Sequence, residues 1–339
     1  MATSEARPIT ALSAALAILC AVLWGGLSVA VRFTQDDLPP LGTAGIRFSI
    51  ATVLLACWAR FQGVPLAISM SQARAVAPVG VLLFLQIGSY HFGMQFTNSA
   101  HGSVMIGSYP VFVALIAHVA LVGDRLSTMK FLGLWVAFAG LIAVVIGGTT
   151  SGAVSNNEGD KVTLIGDAIV LVSSLLIGVN TVFTKRALAG TNVMALLFWS
   201  NLLAIVLFFA NSLIFEGLSR YHFSVAAAWG LAYQGVVVAW FCFLVWTALL
   251  RRHRAIQLSV YGFAQPLCGM MFGVWLRGDP MTAWLLVGGL ARVGRACCCS
   301  GVEVGTKFSP AERKQPATSS ASATKAMRSS LNAMKLFLL

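Results

Sequence analysis

Two stretches of this apolar sequence carry polar and aromatic side chains at helical spacing. The residues are Asn98, His101, Met105 and Tyr109 in the first stretch and, 156 positions after the last three, Gln257, Tyr261 and Gln265. Residues three or four apart share one face of a helix, so each stretch predicts a polar stripe. Their amide, imidazole and phenol groups can hydrogen-bond a small solute in a central cavity, or can bond to neighbouring helices and hold a bundle together. We favour the cavity, because two equivalent stripes are harder to explain as isolated contacts.

Further candidate residues occur singly, namely Trp24, His91, Asn180 and Trp199. Trp24 would close a cavity, although tryptophan is at least as common where a helix meets the membrane interface. Each of the other three, taken alone, is better explained by packing than by contact with a solute. His91 and His101 are the candidates for carrying a proton, because histidine titrates near neutral pH.

Arg47 and Asp167 are charged residues inside apolar runs. Arg47 lies about six residues, or roughly 9 Å, from the predicted outer end of its helix. Its side chain either extends back to the membrane interface, as long basic side chains do, or faces a cavity and pairs with a carboxylate of a solute. Both interpretations stay open. Asp167 follows Gly166 at the beginning of a predicted helix and is better explained as an N-cap than as a proton site.

These side chains must be positioned by the apolar runs that dominate the sequence. The chain is 58% hydrophobic and 10% charged, against about 25% charged in a soluble domain. Ten apolar runs are present, at residues 9–31, 41–59, 75–97, 99–122, 128–147, 163–184, 193–215, 224–248, 255–276 and 281–291. Nine reach the ~17–25 residues that cross a bilayer as a helix, whereas the tenth meets Arg292 and Arg295 too early. The first run is too long for the core of a cleaved signal, so it predicts a transmembrane helix.

Composition and motifs also argue against other classes of protein. The net charge of +12 divides into +6 for residues 1–291, where basic residues fall between apolar runs, and +6 for residues 292–339, so it does not indicate a nucleic-acid partner. The sequence contains no nucleotide-binding loop, zinc-protease motif or nucleophile-elbow motif. Its seven cysteines lack metal-ligand spacing. We therefore expect no enzyme, no cofactor and no metal site, and a lipid bilayer as a partner.

The apolar runs form two related halves. Pro110 and Pro266 lie near the centres of the fourth and ninth runs, 156 residues apart, and the Gly-Asp pairs Gly123-Asp124 and Gly278-Asp279 follow these runs. Proline breaks a helix in water, whereas a membrane bundle satisfies the freed carbonyl through neighbouring groups. The sequence predicts a first repeat over residues 1–147, a connecting loop over 148–162, a second repeat over 163–291 and a basic tail over 292–339.

Basic residues in the connections predict the orientation of the chain. With the N-terminus in the cytoplasm, ten basic residues lie inside and four outside, in agreement with the positive-inside rule. Five helices in each half is an odd number, so the halves have opposite orientations, as in the inverted repeats of many secondary transporters. The predicted fold is an all-α integral membrane bundle of ten helices (5+5) with an incomplete tenth helix.

Several short motifs are distributed over the two halves. They are Trp24-Gly25, Arg47-Phe48, Asn98-Ser99-Ala100, Tyr109-Pro110-Val111-Phe112, Gly123-Asp124-Arg125-Leu126, Gln265-Pro266 and Gly278-Asp279. With these motifs the chain resembles the EamA-type family of the drug/metabolite transporter superfamily over about residues 10 to 290. The sequence departs from the family in two respects. The position after the glycine is often Glu in the family and is Asp in both copies here, and the tenth helix is lost after Ala291.

The resemblance implies a secondary carrier of the bacterial inner membrane that exports amino acids or other small metabolites by alternating access. Protons are a candidate coupling ion because His91 or His101 can carry them. A multidrug exporter is a weaker alternative, because the first helix has no acidic residue to exchange cations for protons. A non-transporting or unstable product is the other alternative. The tail after Ala291 has the composition of a disordered segment, which we interpret as a frameshift or an altered gene end rather than as a cytoplasmic tail with modified cysteines.

Overall fold

The computed structural model describes residues 9–121, 163–217 and 221–278. The predicted fifth and tenth runs, the loop at 148–162 and the tail at 292–339 lie outside the described residues. Within the described ranges every regular element is a helix, as the all-α prediction requires. The ten-helix arrangement and its inverted repeat stay predictions, because two of the ten helices fall outside these ranges.

In the described part of the chain, α-helices follow one another and are numbered here in chain order. They are α1 (Ala11–Gly25), α2 (Leu27–Gln35), α3 (Pro40–Gln62), α4 (Met70–Gly93), α5 (Ser99–Ile106), α6 (Tyr109–Ala120), α7 (Leu164–Ala187), α8 (Val193–Phe215), α9 (Val225–Ala232), α10 (Phe243–Arg252), α11 (Ala255–Ser259) and α12 (Ala264–Arg277). A π-helical segment, Tyr233–Cys242, joins α9 to α10. A 3-10 turn at Met94–Phe96 follows α4, and a second at Val260–Phe263 joins α11 to α12.

Seven helical segments among the described residues are long and apolar enough to cross a membrane. They are Ala11–Gln35, Pro40–Gln62, Met70–Phe96, His101–Ala120, Leu164–Ala187, Val193–Phe215 and Val225–Arg252. They agree with the first four and the sixth to eighth predicted runs. The predicted ninth run is also helical, but it is divided between α11 and α12 and is not one of the seven.

Polar side chains determine where several of these helices begin. Thr10, Ser69, Thr163, Asn192 and Ser224 each accept a hydrogen bond from the backbone N–H three residues later. The first N–H groups of a helix have no partner within the helix, and a cap supplies one where hydrocarbon does not.

Helix α3 receives its cap from a distant part of the chain. Its N-cap residue, Pro39, makes no side-chain capping bond. Instead the Glu216 carboxylate, just after α8, accepts hydrogen bonds from the backbone N–H groups of Leu41 (2.9 Å) and Gly42 (3.1 Å). A carboxylate is favourable at a helix N-terminus, because the helix dipole is positive there. The beginning of α3, which carries Arg47, is therefore held against the end of α8.

The two proline-containing segments cross each other. The fourth predicted run is broken between α5 and α6, and a Cβ atom on Gly107 at this break would lie 2.8 Å from ring carbons of Pro266. Reciprocally, a Cβ atom on Gly262, in the turn between α11 and α12, would lie 2.0 Å from the hydroxyl oxygen of Tyr109. Helix α5 packs on α12 and α6 packs on α11. Only glycine at these two positions allows the segments to approach so closely.

Small residues also bring α1 close to the same crossing. A Cβ atom on Gly25 would lie 2.7 Å from the Cβ atom of Cys268, and one on Gly269 would lie 2.3 Å from the Ser103 hydroxyl oxygen. Helix pairs in membranes commonly pack through small residues in this way. The C-terminal end of α1, with Trp24, is thereby fixed beside α12.

Candidate functional site

A cavity of about 120 Å³ lies among the helices. Every numbered helix except α9 and α11 contributes to its wall, so residues from before and after the predicted seam share it. The polar and charged side chains of the wall are Arg47, Gln86, Tyr90, Tyr109, Ser173, Asn180, Thr181, Thr184, Ser200, Thr247 and Gln265. An enclosed water needs at least about 10–15 Å³ measured in this way, so the cavity has room for several waters or a small solute.

One side of the cavity is an aromatic wall, formed by Trp24, Tyr109, Phe243 and Trp246. The ring centroids of Trp24 and Trp246 are 4.9 Å apart, and Trp24 lies 6.1 Å from Phe243. Tyr109 extends the wall, with its ring 6.4 Å from that of Trp246. All three pairs are edge-to-face, the arrangement that the aromatic quadrupole favours. The wall presents a fixed apolar surface to a solute.

Arg47 is the only charged side chain among the described residues that line the cavity. It is 0% exposed, and its guanidinium carbon lies 4.8 Å from the centroid of the Phe48 ring. Its Nη1 atom is 3.3 Å from Nε2 of His91. Its Nε and Nη2 atoms have no hydrogen-bond partner among the described residues. The structure therefore places the Arg47 side chain at the cavity, fully buried among the described residues.

His91 contacts Arg47 from behind the cavity wall. A guanidinium can only donate hydrogen bonds, so in this contact Nε2 of His91 accepts and the imidazole is neutral, with its proton on Nδ1. The backbone carbonyl of His91 accepts a 2.5 Å hydrogen bond from the amide of Gln35, which holds the end of α4 against α2. His91 does not line the cavity, so it would influence a solute there through Arg47.

A second polar group of the cavity is satisfied within the protein. The Asn180 amide donates to the side-chain oxygen of Gln86 (3.2 Å), and its own oxygen accepts from Thr184 (3.5 Å). Ser173 donates to the backbone carbonyl of Gln86 at 2.5 Å. The two bonds to Gln86 join α4 to α7. They leave fewer free donors for a solute than the residue types alone would suggest.

His101 and Asp167 form a buried pair that does not line the cavity. Nδ1 of His101 lies 3.2 Å from one carboxylate oxygen of Asp167, and Thr97 donates to the other oxygen at 2.8 Å. The predicted N-cap role of Asp167 is wrong, because Thr163 caps α7 and Asp167 lies one turn further into the helix. Asn98 is the N-cap of α5, and its side-chain oxygen accepts a hydrogen bond from the backbone N–H of His101.

The structure brings five of the ten predicted site residues to the cavity, namely Trp24, Arg47, Tyr109, Asn180 and Gln265. It does not bring the other five there. Asn98, His91 and His101 have the positions just described. Trp199 is 39% exposed and donates to the backbone carbonyl of Leu66, and Tyr261 lies in the 3-10 turn before α12, packed against the apolar core.

The sequence did not predict several of the residues that line the cavity. Phe243, Trp246 and Thr247 of α10 and Ser200 of α8 line the cavity, but their runs show no polar stripe. The spacing of Phe243 and Trp246, three residues apart, is the signal that would have placed both on one helix face. No group of three metal-binding side chains is found in the described part of the chain.

Comparison with known proteins adds to this geometry. The sequence matches the EamA-like transporter family over residues 11–146 and 164–294. It is 28% identical over 279 residues to the uncharacterized transporter YoaV of Bacillus subtilis, covering 82% of this chain and 91% of the relative. It is 21% identical over 281 residues to a probable amino-acid metabolite efflux pump of Escherichia coli, covering 80% of this chain and 89% of the pump.

Two further similarities concern location and fold. The uncharacterized inner membrane transporter YedA of Escherichia coli is 23% identical over 275 residues, which cover 79% of this chain and 84% of YedA. A protein of known crystal structure superimposes with a TM-score of 0.67 at 18% identity, over 86% of this chain and 97% of that protein. At this identity the likeness shows a shared fold.

Proposed function

The chain belongs to the EamA-like transporter family, and on that basis we propose that it exports amino acids or other small metabolites across the bacterial inner membrane. It is a multi-pass membrane protein of a family of transporters. The names of the Escherichia coli relatives, an amino-acid metabolite efflux pump and an inner membrane transporter, support the proposed solute class and location.

The cavity is the observation that carries the proposal. It is shared by helices on both sides of the predicted seam, and it combines the aromatic wall with polar side chains. A small metabolite has an apolar body and a few polar groups, and both find matching surface here. We propose Trp24, Arg47, Tyr109, Asn180 and Gln265 as its contacts, with His91 acting through Arg47.

Alternating access requires that contacts at the two ends of the cavity form and break in turn. At one end Lys185 of α7 donates to the backbone carbonyls of Leu250 and His253, the latter at 2.7 Å. At the other end Glu216 holds the beginning of α3 and Gln35 holds the end of α4. With the N-terminus in the cytoplasm, as the basic residues predict, the Lys185 end is the inner one. We propose that these two groups of contacts alternate.

Protons are the proposed coupling ion, and the His101–Asp167 pair is the better placed proton site. Protonation of His101 turns its contact with Asp167 into an ion pair, whereas protonation of His91 would place a second cation against Arg47. The pair joins α5 to α7, so a change in its charge acts on two helices that also line the cavity.

Transport by the purified chain in proteoliposomes tests the proposed function. Vesicles preloaded with a single unlabelled amino acid or small metabolite should accumulate its labelled form by exchange. Asn180→Ala should reduce the exchange rate about tenfold, a loss of ~1.4 kcal/mol, because the cavity loses an amide that bridges two helices. Asn211→Ala is the matched control, since the Asn211 amide bonds only to a carbonyl of its own helix, α8, among the described contacts. No exchange of any compound by a cooperatively folding protein would refute the proposal.

A further inference from the structure

One edge of the Arg47 guanidinium has no hydrogen-bond partner in the described part of the chain. The Nε–H and the neighbouring Nη2–H of a guanidinium point in the same direction and together form a two-donor fork. In Arg47 these are the two nitrogen atoms without a hydrogen-bond partner among the described residues, whereas Nη1 is occupied by His91. The free edge thus has the geometry that binds two oxygen atoms of one planar anion.

The described residues that line the cavity supply no counter-charge to Arg47. No Asp or Glu is present among the described residues that line the cavity, and His91 is neutral in the contact that it makes. A fully buried cation without an anion is costly, and the cost falls when an anion enters and accepts its hydrogen bonds. The ring of Phe48 covers one face of the guanidinium, so a ligand does not reach that face.

The rest of the cavity distinguishes between possible anions. Its other polar groups are uncharged amides and hydroxyls, and the aromatic wall is apolar. An anion with a single negative charge is neutralised by Arg47, whereas a second negative charge would find no cation among the described lining residues. A positively charged amino group finds no carboxylate there either. The site therefore matches one carboxylate attached to an apolar body.

We propose that Arg47 is the carboxylate anchor of the cavity, that His91 positions it, and that the bound solute needs a carboxylate but not an amino group. This inference rests on the proposed function in taking the cavity as the solute site. It narrows the solutes to small monocarboxylates, which include amino acids and the organic acids that lack their amino group.

Four compounds with the same branched apolar body separate these requirements. L-leucine has a carboxylate and an amino group, isocaproate only the carboxylate, and L-leucinamide and isoamylamine only the amino group. In thermal unfolding of the detergent-purified protein, L-leucine and isocaproate should raise the melting temperature, since a ligand that binds the folded state stabilises it. L-leucinamide and isoamylamine should have no effect. This comparison uses the unchanged protein and does not depend on the folding of any variant.

Substitutions of Arg47 then test whether its Nε and Nη2 donors bind the carboxylate. Arg47→Met should weaken binding of both carboxylates by about 10- to 100-fold, the usual value of hydrogen bonds to a charged group. Arg47→Lys keeps the charge without the fork, so it should bind them with intermediate affinity. Arg60→Gln is the matched control, because Arg60 is an exposed arginine of the same helix. It should bind like the unchanged protein.

Three results would overturn the inference. They are equal stabilisation by L-leucinamide and L-leucine, an undiminished carboxylate preference in Arg47→Met, and no stabilisation of the unchanged protein by either carboxylate. The flux assay separates this inference from the proposed function. Transport of compounds without carboxylate preference would refute the anchor and support the transporter. A carboxylate preference that depends on Arg47, in a cooperatively folding protein that exchanges no compound at all, would support the anchor and refute the transporter.

Discussion

Gly107→Ala tests the crossing of the two broken helices. The backbone of Gly107 has φ of −65°, which alanine adopts without strain, so the substitution acts through its methyl group alone. That methyl group would lie 2.8 Å from the Cβ, Cγ and Cδ atoms of Pro266. Carbon atoms pack best at about 3.5–4.0 Å, so α12 would have to move by roughly 0.7–1.2 Å away from the break.

Overpacking a well-packed interior typically destabilises a protein by ~1–3 kcal/mol, and we expect a loss of this size in the free energy of unfolding. At roughly 2–4 °C for each kcal/mol in a protein of this size class, the melting temperature should fall by about 2–12 °C. Because Tyr109 and Gln265 border the crossing and line the cavity, the rate of solute exchange should fall as well.

The assay is thermal unfolding of purified protein in one detergent, with two comparisons. Gly88→Ala, in the interior of α4, is the control, because its nearest neighbour would be a methyl carbon of Leu41 at an ordinary 3.4 Å. Pro266→Ala removes two of the three atoms that the new methyl group meets, so Gly107→Ala should cost less in that background by at least ~0.5 kcal/mol. If Gly107→Ala melts like Gly88→Ala, or loses as much with Pro266→Ala as without it, the crossing described here is refuted.

Two further predictions concern contacts between distant helices. Glu216→Ala should lower the free energy of unfolding by ~1 kcal/mol, because the N–H groups of Leu41 and Gly42 lose their acceptor. A melting temperature unchanged within a degree would contradict this cap. Asp167→Asn and His101→Gln should each slow export driven by a pH gradient by about tenfold while leaving solute exchange at equal pH intact, if protons are coupled through this pair. Full pH-driven export by both variants would refute the coupling.

The course of the membrane helices could be predicted from the sequence because the bilayer imposes a length and an uncharged composition on each of them. Seven predicted runs correspond to seven helical segments of the described residues. The paired prolines also indicated where helices begin inside the fourth and ninth runs. Pro110 lies in the first turn of α6 and Pro266 in the first turn of α12, where proline is tolerated because those N–H groups need no partner within the helix.

The polar stripe of the fourth run was harder to predict. Spacings of three and four residues define one face only while a helix continues, and here it ends at Ile106. Beyond the break Tyr109 lines the cavity, whereas before it Asn98 caps the helix and His101 turns to Asp167. His101 and Asp167 are 66 residues apart in the sequence, so no local sequence pattern predicts their contact.

Hydrogen-bond satisfaction shows better than residue type how many donors a polar group can still offer to a solute. Gln86 and Asn180 line the cavity, but the bond between them, which holds α4 against α7, uses only part of their hydrogen-bonding capacity and leaves Asn180 a second N–H for a solute. Arg47 lines the same cavity with two free donors, and nothing in the fold of the described residues uses them. A buried polar group without a partner destabilises the empty protein, and a low-dielectric interior makes this cost larger. The free edge of Arg47 therefore favours states in which an anion occupies the cavity. A bound anion removes the destabilisation caused by the unpaired donors, and this gain in free energy adds to the affinity of the solute.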